Sequence, residues 1–297
     1  METNKASSTA LTVLQGLVYT AKFTKFNFLV SDEVLKLSEK ILSSFEEGRK
    51  RLKIIESSLF RSTIVSFANK FLMRGMTVHY ALRKKFIEEK TLKEIEENKI
   101  TQIINLGGGF DTLLLRTSKK YENLRFIEID HPATQKDKLK ALENSKIDIS
   151  RNLEFLSVDF EKERMKEKLK IDPNQNTLFI IEGVLMYLSE GSILELLKEI
   201  LEVSNNKASI LFTFAEINPC KLNLLNLYLK LKNENLKFET SRENLKKMFE
   251  KSGFKIELFA DEKFFKESFL PTKTDDKKLI QSAILNQTEI ISFAIPV

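Results

Sequence analysis

Residues 102–135 constrain this chain more than any other stretch. Gln102-Ile103-Ile104-Asn105-Leu106 is an apolar, β-branched run that enters Gly107-Gly108-Gly109-Phe110-Asp111-Thr112. A short helical run follows, and then Arg125-Phe126-Ile127-Glu128-Ile129-Asp130, a second apolar run that ends in an acid. The order is strand, glycine loop, helix, strand, acid, with the acid about twenty residues beyond the first glycine. That is the pattern of a doubly wound α/β sheet that binds a nucleoside. Glycines let a backbone turn tightly and approach a ligand closely. An acid at a strand's carboxyl end can accept both hydroxyls of a ribose.

The same loop argues against a dinucleotide. The dinucleotide fingerprint carries a third glycine for close helix–strand packing, and here Thr112 stands in its place. Asp111 sets a negative charge at the helix N-terminus, where a pyrophosphate would sit. A ligand with no phosphate and a cationic end fits better. S-adenosylmethionine, with an adenosine, a sulfonium and an amino acid tail, is such a ligand. An NAD-dependent oxidoreductase on the same fold is the rival that the missing glycine disfavours.

The rest of the chain fits one α/β domain preceded by helices. Residues 1–99 read as helices only, a helical extension that can roof the sheet. Asp32 can cap a helix carrying Val34, Leu35, Leu37, Ile41 and Leu42, and Ser57 or Ser58 can start another running through Leu72. From 100 to 297 strands and helices alternate, which predicts a parallel sheet. Strands are expected at 102–106, 125–129, 154–158, 177–182, 208–214, 254–260 and 289–295. Helices are expected near 111–119, 132–145, 161–169, 190–203, 240–252 and 275–285. The leucine-rich segment 216–238 reads as a helical lid inserted after the fifth strand.

Several motifs in order resemble the leucine carboxyl methyltransferase family. Leu106-Gly107-Gly108-Gly109-Phe110-Asp111-Thr112 is similar to its L-G-A-G-x-D-T loop, and Glu128-Ile129-Asp130-His131-Pro132 to its E-x-D-x-P motif. Val158-Asp159-Phe160 and Glu182-Gly183-Val184-Leu185-Met186-Tyr187-Leu188 resemble the motifs after its third and fourth strands. Ser8-Thr9-Ala10 and Ala81-Leu82-Arg83-Lys84-Lys85-Phe86 resemble its opening and its A-x-R-x-x-F helix. The chain departs from the family at Gly108, usually alanine, at Leu113, often arginine, and at Gln15-Gly16, commonly Arg-Ala. The resemblance implies a Rossmann-like seven-stranded fold ordered 3-2-1-4-5-7-6 with the seventh strand antiparallel. It also implies an O-methyltransferase that takes its methyl group from S-adenosylmethionine.

Candidate site residues follow. Gly107 and Gly109 approach the methionine end of the cofactor. Asp130 is the ribose ligand; Glu128, two residues away and on the same side of the strand, is the alternative. Asp159 can accept from the adenine amino group with Phe160 against the ring, or can cap the helix that follows. The resemblance implies that Arg83 pairs with the cofactor's carboxylate, a contact suited to a guanidinium. Glu182 can bind the cofactor's amino group or face the acceptor. Tyr187 can line the acceptor site or belong to the core. His79 is the base candidate if the reaction needs one, and His131 reads as support beside the ribose acid.

Composition excludes other classes. A single cysteine, Cys220, rules out an internal disulfide and a cysteine-cluster metal site, and two histidines are too few for a histidine metal site. The net charge of +6 is spread over mixed-sign surfaces such as Glu161-Lys162-Glu163-Arg164, so no nucleic-acid partner is expected. An RNA methyltransferase is disfavoured on the same ground. The run from Ala6 to Ala21 is broken by Ser, Thr and Gln and reads as an amphipathic helix, not a signal peptide or membrane span. A cytoplasmic enzyme acting on a small molecule or an exposed carboxylate is expected. A non-catalytic protein that keeps an S-adenosylmethionine site for regulation is a further alternative.

Overall fold

The computed structural model describes residues 8–57, 75–217, 236–270 and 289–297. Among the described residues four helices come first: α1 (Ser8–Phe23), α2 (Asp32–Ser43), α3 (Glu46–Glu56) and α4 (Met76–Glu97). The alternating part runs β1 (Gln102–Leu106), α5 (Leu113–Lys120), β2 (Arg125–Asp130), α6 (Pro132–Asn144), β3 (Leu153–Ser157), α7 (Met165–Lys168), β4 (Thr177–Ile181), α8 (Glu190–Ser204), β5 (Ala208–Ala215), α9 (Arg242–Lys251), β6 (Phe254–Ala260), α10 (Glu262–Phe269) and β7 (Glu289–Pro296). The seven strands form one sheet in the order 3-2-1-4-5-7-6. β1 to β5 pair in parallel, and β7 runs antiparallel to both β5 and β6. This is the fold expected from the sequence.

The central strands are buried on both faces, as parallel strands covered by helices must be. Their side chains alternate between two cores. Ile103 of β1 and Leu178 and Ile180 of β4 join the core that contains α1 to α6 and α10. Ile104 and Leu106, with Phe179 and Ile181, join the core under α7, α8 and α9. The described N-terminal helices therefore share a core with one face of the sheet.

Local sequence explains several helix starts. Ser189 and Ser241 cap α8 and α9 through their side chains, and Pro132 occupies the first turn of α6. α2 is capped by Ser31, whose hydroxyl accepts from Val34 N, so Asp32 lies in the first turn and is not the cap. The helix expected over 161–169 shrinks to the four residues of α7. Its front half is a turn in which the amides of Lys162 and Glu163 both donate to the Asp159 carbonyl. α10 was not expected. Asp261 caps it, and Phe264, Phe265 and Phe269 pack around Phe86 of α4 with ring centroids 5.3, 5.9 and 6.3 Å away. The expected helices over 58–72 and 275–285, most of the expected 216–238 lid, and Cys220 lie outside the described residues.

Candidate functional site

Strand register builds the site. Leu106 of β1 pairs with Ile129 of β2 on one side and Ile181 of β4 on the other. One step beyond that row the chain reaches Gly107, Asp130 and Glu182. Three candidates far apart in sequence thus meet at the carboxyl edge of the sheet, where open α/β sheets bind ligands. A cavity of about 370 Å³ opens there. Arg83, Gly107, Gly109, Asp130, Asp159, Phe160, Glu182 and Tyr187 all line it. His79 is not in its wall. It is buried, and its Nε2 lies 3.1 Å from Glu289 Oε2.

The glycine loop needs its glycines at two points. Gly107 and Gly109 have φ of +70° and +52°, the left-handed region that side chains disfavour. A β-carbon on Gly107 would also come within 2.2 Å of Val184. Gly107 N–H donates to the Ile129 carbonyl at 2.7 Å, and Asp111 N–H closes the turn on the Gly108 carbonyl at 2.9 Å. The N-terminal helices brace the loop from outside, with Phe45 stacked on Phe110 at 5.7 Å.

Asp130 is held by the backbone on both oxygens. Oδ2 accepts from Gly109 N at 2.5 Å and Oδ1 from His131 N at 2.6 Å. A carboxylate has about four lone-pair sites, so each oxygen keeps one for a ligand. Burial pushes its pKa up, against those two amides. Glu128, the alternative acid, is excluded from the cavity wall: both its oxygens engage the buried Lys138 ammonium, at 2.5 and 2.7 Å. Gly108 is not interchangeable with alanine here unless Glu128 moves, because a β-carbon would approach the Glu128 side chain to 2.5 Å.

Asp159 stands in the cavity wall, and the helix it was expected to cap does not form at 161: α7 starts at Met165 with Arg164 as its N-cap. Asp159 Oδ1 accepts from Glu161 N at 3.2 Å in the turn that follows. Burial pushes its pKa up, but Lys162, 3.1 Å away, and the Glu161 amide outweigh it and hold the group low. His131 caps α6 through Nδ1, and its Nε2 lies 3.7 Å from Asp159 Oδ2, so it braces two of the candidate acids.

A buried charge cluster closes the other end of the cavity. Arg83 and Lys84 are adjacent on α4, and the Arg83 side chain is buried and that of Lys84 nearly so. Arg83 pairs with Glu289 and lies 2.7 Å from Glu182 Oε1 through Nε, off the N–H direction, so neither of those two atoms is hydrogen bonded. Lys84 Nζ bridges Asp111 Oδ2 and Glu182 Oε2, each at 2.9 Å. Burial raises the Asp111 pKa, yet Lys84 and Lys138 outweigh it and bring the group down to about 2. Glu289 is likewise driven well below the carboxylate range by Arg83 and His79 in spite of burial. The Asp111 charge is thus answered by Lys84 and does not stand bare at the helix N-terminus. Lys84, Lys138 and Glu289 were missed as site residues. Nothing local marks them, because their partners come from other elements.

These residues fit a nucleoside with a zwitterionic tail. Asp130 offers two unused acceptor positions, and Glu182 Oε1 is a buried acceptor on the cavity wall without a hydrogen bond. Gly183, with φ of +67°, leaves open space where a β-carbon would point. Among the described residues no group of acids, histidines or cysteines could hold a metal ion, and no helix is long and apolar enough to cross a membrane.

The family described as Leucine carboxyl methyltransferase matches residues 40–201. Over 117 residues the chain is 30% identical to YktD of Bacillus subtilis (strain 168), named as a candidate S-adenosyl-L-methionine-dependent methyltransferase. That stretch is 39% of this chain and 38% of YktD, so the match spans well under half of the curated relative. Among solved structures, a DUF574 family protein from Streptomyces avermitilis MA-4680 has the same fold, with a TM-score of 0.57 at 10% identity over 88% of this chain and 97% of that one.

Proposed function

The chain belongs to the leucine carboxyl methyltransferase family, whose cofactor is S-adenosylmethionine, and from that premise we propose that it is an S-adenosylmethionine-dependent O-methyltransferase. The acceptor is a carboxylate or hydroxyl on a small molecule, or an exposed carboxylate. The observation that carries the reading is Asp130: a carboxylate fixed by two backbone amides at the sheet edge, with one free acceptor position per oxygen.

Each residue has a role in this reading. Asp130 accepts the ribose hydroxyls. Asp159 accepts the adenine amino group, with Phe160 against the ring. Glu182 accepts the ammonium of the amino acid tail, and Arg83 receives its carboxylate. Lys84 keeps Asp111 and Glu182 neutralised beside that tail. Bound there, S-adenosylmethionine would supply an electrophilic methyl group. The protein's own contribution is alignment of the acceptor oxygen and exclusion of water. Tyr187, at the exit of β4, lines the acceptor side. A carboxylate acceptor needs no general base, and His79, facing Glu289 away from the cavity wall, is not assigned that role.

The test is calorimetric titration with S-adenosylhomocysteine and with NAD, followed by a labelled-methyl screen of carboxylate and hydroxyl acceptors. S-adenosylhomocysteine should bind and NAD should not. Tight NAD binding with no response to S-adenosylhomocysteine would overturn the reading. Cofactor binding with transfer only to nitrogen or sulfur acceptors would remove the oxygen assignment.

A further inference from the structure

Lys138, on α6, is completely buried, and so is Glu128 of β2. The ammonium meets three oxygens: Glu128 Oε1 at 2.5 Å, Glu128 Oε2 at 2.7 Å and the Asp111 carbonyl at 2.6 Å. An ammonium has three N–H donors and no acceptor, so its whole donor capacity is committed inside the protein. Neither residue lines the cavity. Burying an ion pair costs desolvation, and a well-packed apolar pair often serves the fold as well or better. What an apolar pair could not do here is grip a backbone carbonyl.

That carbonyl belongs to the turn over residues 108–111, closed by Asp111 N–H on the Gly108 carbonyl. The pair holds the turn at both ends. Lys138 takes the Asp111 carbonyl at one end. At the other, the Glu128 side chain occupies the room that a β-carbon on Gly108 would need, 2.5 Å away. The middle of the same turn, Gly109 N–H, is the donor to Asp130 Oδ2. Two acids on one face of β2 thereby divide the work, one for the loop and one for the ligand.

We propose that the Glu128–Lys138 pair is the positioning element of the methyl-donor site: it clamps the 108–111 turn and so sets where the Gly109 amide and the Asp130 carboxylate stand. This rests on the reading of the cavity as an S-adenosylmethionine site. Burial raises the Glu128 pKa to about 7 against the pull of Lys138. Without the lysine the acid can become neutral, so the clamp can be removed without leaving a bare buried charge.

The experiment compares the native chain with Lys138→Met and with Glu128→Gln/Lys138→Met. Amide hydrogen exchange reads the clamp without any ligand. The Gly109 and Asp111 amides should exchange about tenfold faster or more in both variants, while amides of β1 and β4 keep their native rates. Calorimetry on the same samples should show S-adenosylhomocysteine affinity falling about tenfold or more, the scale of effect that a misplaced binding group produces. Unchanged loop exchange, or equal acceleration in loop and strands, would overturn the clamp. A loosened loop with native affinity would overturn its link to the ligand. A native chain that ignores S-adenosylhomocysteine would instead sink the cofactor reading, and the exchange data would still decide the clamp.

Discussion

Asp130 Oδ2 accepts the Gly109 amide at 2.5 Å, so the acid that ends β2 also tethers the loop that follows β1. Losing the carboxylate removes this loop contact and, in the proposed reading, the ribose contact with it. Asp130→Ala should weaken S-adenosylhomocysteine binding by about 1.5–3 kcal/mol, the value of a hydrogen bond to a charged group. Calorimetry measures it, with circular dichroism to show that the fold persists. Normal binding by Asp130→Ala would remove Asp130 as the ribose acid.

Arg83 should prove both structural and ligand-binding. It is buried against Glu182 and Glu289, and breaking a buried pair from one side costs about 3–5 kcal/mol. Arg83→Ala should therefore unfold at lower denaturant. Below that transition it should bind S-adenosylmethionine weakly and 5′-methylthioadenosine, which lacks the amino acid tail, almost normally. Arg83→Lys should be impaired as well, since an ammonium cannot make the two-pronged contact. Equal losses for both ligands would leave Arg83 a purely structural residue.

Stability should fall in acid through Asp111. The ordinary carboxyl takes up its proton near 3.8, while the folded protein holds Asp111 ionised down to about 2. The folded pKa is the lower one, so the stabilisation is complete above pH 4 and disappears as the pH falls through 2. The gap corresponds to about 2 kcal/mol. Lys84→Met should shrink this acid-dependent part, because Lys84 is the first cation holding the group down. Urea unfolding at pH 5, 3.5 and 2.5 would read it; identical slopes in both proteins would rule Lys84 out as the cause.

Phe265 is fully buried in the ring cluster that joins α10 to α4. Phe265→Ala should cost about 3–5 kcal/mol in denaturant unfolding, the usual loss for a core phenylalanine. Because α10 contributes nothing to the cavity wall, affinity for S-adenosylhomocysteine should stay near native. A large loss of affinity at unchanged stability would contradict this division.

The alternation of strand and helix, the glycine loop and the acid at the end of β2 were legible in residues 102–135, because they rest on local rules. Apolar runs mark buried strands, glycines permit positive φ, and an acid at a strand end faces the ligand edge. The sheet order matched the family resemblance and could not have come from hydropathy, which says nothing of pairing. Local pattern also misread some elements. α10 is too short to hold itself together and depends on Phe86 of α4. The Asp159 turn competes with the start of the helix after β3 and leaves only α7.

The sequence by itself determined the class of fold and the kind of ligand, and it singled out Gly107, Gly109 and Asp130 as candidates, with Glu128 as the alternative acid. Only the tertiary structure showed how the neighbours of the two acids differ: backbone amides hold Asp130 in the cavity wall, and the Lys138 ammonium holds Glu128 behind it. It likewise set Arg83 and Lys84 among the acids Glu182, Glu289 and Asp111, and put His79 against Glu289 outside the cavity wall. The physical reason is common to all of these. A charge's role is set by what lies within about 4 Å of it, and those partners come from strands and helices that only folding brings together.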